Sequence, residues 1–117
     1  MERKTFYKTL KSFLKELIIV FPENDEELIL LTTSLNLKII EDDEDILLKF
    51  YNTFEPLEEL IINHDISLFN KMGNGLSTDL FIKLNHEWNT FSDNNKTVIW
   101  NYIILLYRLS KQSVNKL

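Results

Sequence analysis

The stretch Asn94 to Leu109, NNKTVIWNYIILLYRL, limits this chain more than any other. On a helical wheel of about 100° per residue, Val98, Tyr102, Leu105 and Leu109 share one side. Ile99, Ile103 and Leu106 share the next, and Trp100 and Tyr107 stand opposite Val98. Only Thr97, Asn101 and Arg108 form a polar stripe. A helix with so narrow a polar stripe is buried by neighbours on several sides. The stretch therefore predicts the central helix of a small bundle.

The remaining segments supply the neighbours. Phe6, Leu10, Phe13, Leu14, Leu17 and Phe21 follow the i, i+3, i+4 spacing of an amphipathic helix over residues 3–21. Pro22 ends it. Asn24 suits the N-cap of a second helix, with Asp25, Glu26 and Glu27 at the positive end of its dipole. Leu28, Leu31 and Leu35 face inward there, while Leu35 to Ile40 alternates and leaves an extended end open. The acidic run Glu41 to Asp45 precedes a third helix with an Ile46, Leu47, Phe50, Tyr51, Phe54 stripe. Pro56 fits the first position of a short fourth helix through Ile62, with Leu57, Leu60 and Ile61 inward. Asn63 to Asp65 closes it, and Ile66, Leu68, Phe69 and Met72 form a further apolar turn. Gly73-Asn74-Gly75 is a flexible loop holding both glycines. Ser77 caps a fifth helix with Leu80, Phe81, Leu84, Trp88 and Phe91 inward. Ser92 or Asp93 caps the last helix, and a polar tail from Lys111 is expected to fray. An antiparallel pair of the last two helices would bring Trp88 and Trp100 close. The fold expected is an all-α, compact single domain over 1–117, a bundle of five or six helices around the apolar C-terminal helix.

At 117 residues and 44% hydrophobic, with eight Phe, four Tyr and two Trp, the chain has material for one core. Without cysteine it has no disulfide framework, thiolate metal site or thiol nucleophile. Lys8, Lys11, Lys15 and Glu16 interrupt the one stretch that resembles a signal peptide. No apolar run approaches the ~20 residues of a bilayer span. His86-Glu87 starts like a zincin motif, but Thr90 stands where the second histidine belongs. The acidic run lacks the glycine and spacing of a calcium loop. No phosphate-cradling loop, dinucleotide fingerprint or nucleophile elbow is present. No catalytic residue, metal ligand or cofactor is therefore expected.

Charge is segregated along the chain. Residues 1–22 hold five Lys/Arg and two acids, residues 23–65 two lysines and thirteen acids, and residues 66–117 six Lys/Arg and three acids. Lys4, Lys8, Lys11 and Lys15 fall within about 60° of one helix side, opposite the apolar stripe. Such a layout permits one surface of each sign. The candidate partner-binding residues are Lys4, Lys8, Lys11 and Lys15, and Glu41, Asp42, Asp43, Glu44 and Asp45.

FLKELIIVFPEN (Phe13 to Asn24) and NKTVIWNYIILLYRL (Asn95 to Leu109) resemble segments of small uncharacterised helical proteins of nucleocytoplasmic large DNA viruses. A chain without Ala and rich in Ile, Leu, Asn and Lys agrees with an AT-rich source. The resemblance implies a viral protein of the infected cell's cytoplasm or the virion, and it brings no catalytic residue. The function expected is non-catalytic protein binding by a viral structural, scaffold or host-interaction module. The partner is a viral or host protein, or a second copy joined head to tail through the lysines and the acidic run. The alternative is an anionic surface, nucleic acid or membrane, bound through the lysine stripe. Net charge opposes nucleic acid, and no aromatic residue interleaves the stripe. An enzyme would need a pocket of perturbed acids.

Overall fold

The computed structural model describes residues 2–21, 25–41, 43–71 and 78–115, and within them every side chain except those of 2, 3, 40, 41, 43–45 and 78. Nearly all of these residues are helical, with no strand among them. The helices are α1 (Glu2–Val20), α2 (Glu26–Glu41), α3 (Asp43–Phe54), α4 (Glu58–Ile62), α5 (Thr78–Glu87) and α6 (Asp93–Asn115). Three 3₁₀ turns, Glu55–Leu57, Ile66–Asn70 and Trp88–Thr90, join them.

Local chemistry sets the boundaries. The Asp25 carboxylate accepts the Leu28 N–H at 3.0 Å, so Asp25 performs the N-cap role for α2. Asn24, the cap expected from sequence, lies outside the described residues, as do Pro22, Met72, the Gly73–Gly75 loop and Ser77. Ser92 Oγ accepts the Asn95 N–H at 3.1 Å and caps α6. Pro56 stands in the first turn of the Glu55–Leu57 segment, where its missing N–H costs nothing. The α4 helix ends in a Schellman turn: the Asp65 N–H reaches the Leu60 carbonyl at 2.9 Å and the His64 N–H reaches that of Ile61 at 3.2 Å. His64 takes the left-handed position of that turn, at φ 53°.

Four boundaries differ from the sequence reading. The fourth helix begins at Glu58 and not at Pro56, which lies in the 3₁₀ turn before it. The end of α2 is not extended: Leu35 and Ile39, one turn apart, are both buried, so the helix runs to Glu41. The acidic run does not wholly precede α3, which begins inside it at Asp43. And α6 continues past Lys111, the expected start of a fraying tail, to Asn115, with Ser110 and Ser113 buried.

The core joins all six helices. The apolar stripe expected on α1 is buried in full, as are Leu80, Phe81, Leu84, Trp88 and Phe91. Rings link in a continuous chain: Tyr7 to Phe6 (5.3 Å between centroids), Phe50 (5.2 Å), Phe54 (4.4 Å), Phe81 (5.6 Å) and Phe69 (5.9 Å). From Phe69 it passes to Trp88 (5.4 Å), Phe91 (6.1 Å) and Phe21 (5.2 Å). It leaves α1 near its start and returns at its end. Trp100 stacks on Phe69 at 5.6 Å and meets Trp88 edge-on at 5.9 Å, the closeness expected of the last two helices. The radius of gyration, 13.5 Å, suits one domain of this length.

The central helix α6 is less enclosed than its wheel implies. Its buried arc centres on Ile103 and takes in Ile99, Trp100, Leu106, Tyr107 and Ser110. Leu105 is 45% exposed. The helices that pack on α6, namely α1, α3 and α4, cover one broad side and leave the other to solvent.

Candidate functional site

The outer surfaces of α1 and α2 hold the residues that folding does not use. The buried stripe of α1 fixes the opposite side outward, and Lys4, Lys8, Lys11 and Lys15 are all exposed there. None pairs with a carboxylate among the described residues. The same face continues into Ile18 and Ile19, the latter 75% exposed. On α2, Leu28, Thr32, Leu35 and Ile39 are buried while Leu30 (67% exposed) and Leu37 (55%) stand opposite them, with Ile29 beside. Nine large apolar side chains are exposed among the described residues, and five of these lie on α1 and α2.

Sequence reasoning missed those five. The signal existed in α2: Leu30 and Leu37 repeat at the seven-residue interval of Leu28 and Leu35, so one helix carries two apolar faces and the core can take only one.

The topology also places the ends of α2 and α3. Leu47 N–H donates to Tyr7 Oη at 3.2 Å, which fixes the start of α3 against the first half of α1. The α2 helix begins five residues after α1 ends and stops just before α3, so it runs back antiparallel along α1. Glu41 closes α2 and Asp43 to Asp45 open α3. The backbone of this acidic joint, Asp42 apart, therefore lies at the same end of the molecule as Lys4 and Lys8. The side chains of Glu41 to Asp45 lie outside the described ones, and Asp42 does so entirely.

At the other end, Lys83 of α5 ties the pieces together. Its ammonium is 3.0 Å from Asp25 and 3.5 Å from Glu27, and it lies over the Phe21 ring at 5.9 Å. Burial pushes the Asp25 carboxyl up, but the Leu28 N–H and Lys83 outweigh it and hold the group below the usual range. Burial pulls Lys83 down, but Asp25 and Glu27 outweigh that and leave it raised. Beside this pair is an open groove of about 310 Å³ lined by Glu27, Asp79, Ile82, Lys83, His86 and Glu87. Its one lysine is already engaged by carboxylates. His86 is exposed, with Nδ1 3.5 Å from Glu87.

A second polar cluster links α4 to α6. Tyr107 donates to Glu58 Oε1 at 3.2 Å, and Lys111 reaches the same oxygen at 3.2 Å. Burial, with Glu58 next, pushes the Tyr107 phenol up to about 12, so it holds its proton and is no base. His64 is exposed and stacks on Trp100 at 5.2 Å. Among the described residues, no three His, Cys, Asp or Glu side chains are grouped to hold a metal ion. No helix is long and apolar enough to cross a membrane among those residues.

No family model, curated protein or solved structure matches this chain.

Proposed function

We propose that the chain is a non-catalytic protein-binding module that docks through the outer face of α1 and α2. One observation carries the reading: four lysines without a carboxylate partner among the described residues, and the exposed Ile18 and Ile19, share the side of α1 that the core does not use. Lysine stems beside exposed aliphatic groups suit a protein surface that presents both acids and apolar side chains. The viral setting, a structural or scaffold role in the infected cell or the virion, rests on the resemblance of residues 13–24 and 95–109 and belongs to the same proposal.

The test pairs two variants with the natural chain in capture from producing cells. One changes Lys4, Lys8, Lys11 and Lys15 to Glu; the other changes Ile19 and Leu30 to Asp. Both are expected to keep the helical circular dichroism of the parent and to lose its partner. Capture that survives both variants removes this face from the function. Retention on heparin that fades steeply with salt, and is lost in the lysine variant, would put an anionic surface in the partner's place.

A further inference from the structure

We propose that the lysine side of α1 seats an acidic amphipathic helix of a partner protein, its carboxylates spaced alternately four and three residues apart, with aliphatic side chains beyond one end. This rests on the docking reading above and names the partner's chemistry. Lys4, Lys8, Lys11 and Lys15 are exposed, and no carboxylate pairs with them among the described residues. Ile18 comes next at the same spacing, so the intervals run four, three, four, three. Ile19 beside it is the most exposed of the large apolar side chains described.

The spacing selects a helix as the occupant. A stripe that averages 3.5 residues per repeat departs from a straight α-helix by only ~20° per seven residues, which a slight mutual winding of two helices takes up. At about 1.5 Å per residue, Lys4 and Lys15 stand about 16 Å apart along α1, and the same intervals on a second helix set four carboxylates over the four lysines. On a β-strand, side chains of one face repeat every ~6.8 Å, so four acids would cover about 20 Å and fall out of register. The apolar end completes the match. Exposed ion pairs are individually weak, so four of them orient a partner more than they hold it. Only residues 21–25 separate α1 from α2, so the exposed Ile29 and Leu30 lie at the same end of this hairpin as Ile18 and Ile19. A partner of acids alone would leave that end in water, whereas aliphatic groups beyond its last carboxylate would cover it.

The experiment is fluorescence anisotropy with the full chain and labelled peptides of about 18 residues, or five helical turns. The stripe peptide is alanine-based and carries Glu at intervals of four, three and four, with two Leu beyond. It is made in two forms, with the Leu pair at either end, so that both directions of packing are sampled. The control has the same composition with its Glu spread evenly round the helix. The better stripe peptide is expected to bind at least about tenfold more tightly than the control, since only it presents its charge on one side. Raising salt from about 0.05 to about 0.5 M should weaken that binding at least about tenfold, because screening shortens the reach of the charges. Lys4→Glu, Lys8→Glu, Lys11→Glu and Lys15→Glu together should abolish it, and a peptide with Lys in place of each Glu should bind that variant instead. Ile19→Asp with Leu30→Asp should weaken binding and leave its salt dependence unchanged. Equal binding of stripe and control peptides by the natural chain overturns the proposal, whether or not the variants fold. So does failure of both stripe peptides to bind; if the natural chain then sediments with phosphatidylserine vesicles, a lipid surface takes the helix's place. Where neither stripe peptide binds but capture from producing cells is still lost in both docking variants, only the acidic helix falls. Where capture survives both variants, the docking reading falls with it.

Discussion

His64 is the residue at which local cost and packing are most evenly opposed. The left-handed position costs a side-chain-bearing residue roughly 1–2 kcal/mol, which is why glycine commonly occupies it. Here the imidazole recovers part of that by lying flat on the Trp100 indole, an interaction worth about 0.5–1.5 kcal/mol. His64→Ala loses the stack and keeps the backbone strain, whereas His64→Gly loses the stack and relieves the strain. Denaturant melts should therefore place the Gly form about 1 kcal/mol above the Ala form. Equal stabilities would mean that the turn relaxes and stores no strain. Tyr107 supplies a second test. Its folded phenol is raised to about 12 by burial first and Glu58 second, above an unfolded value near 10. Stability from this group is whole below pH 10 and is lost as pH rises towards 12. Tyr107→Phe should cost about 1 kcal/mol at neutral pH, the worth of one hydrogen bond, and should flatten that alkaline loss. Absorbance titration should lose its latest tyrosine step in the same variant; a step that persists assigns the raised group elsewhere.

Among the elements, α2 shows most clearly what a sequence can and cannot convey. Its inner face was legible, because Leu28 and Leu35 follow helical spacing. Its end was not: Leu35, Leu37 and Ile39 alternate as a strand does. The alternation arises from a helix with apolar groups on two opposite faces, and one chain read alone does not say which face the bundle takes. The α1 stripe was read fully, as were Phe81 of α5 and Trp88 and Phe91 beyond it, since these residues follow one helical spacing and are all buried. The lysines were read as exposed and are so, while the isoleucines that extend their face were overlooked. The start of α2 is where the hairpin is tied, and Asp25 serves two roles there. Its carboxylate caps the helix at Leu28 and pairs with Lys83. Asp25→Ala should cost about 1–2 kcal/mol through the lost cap. Asp25→Asn keeps an acceptor for the cap and should cost only the half-buried ion pair, about 1 kcal/mol. In the natural chain this contribution is complete above about pH 4 and lost as pH falls through the lowered carboxyl value. If Asn proves as costly as Ala, the ion pair and not the cap holds the turn.

The whole molecule separates two kinds of energy in space. The ring chain from Tyr7 round to Phe21 sits inside and binds both ends of α1 to α3 and α5, independent of salt. The charges sit outside and are unevenly spread, with residues 23–65 carrying thirteen acids against two lysines. Lys4 with Lys8, and Lys11 with Lys15, are like charges one helical turn apart, each pair destabilising by about 0.2–0.5 kcal/mol. Screening relieves such repulsion, so salt should stabilise the isolated chain. The combined relief is a few tenths to about 1 kcal/mol, and about 1 kcal/mol moves the melting temperature of a domain this size by ~4–8 °C. At high dilution, raising salt from about 0.05 to about 0.5 M should therefore lift the melting temperature by a few degrees. If salt instead lowers the melting temperature at high dilution, the lysine stripe and the acidic joint attract one another within a single copy. The lysines then hold the fold together and are not left for a partner.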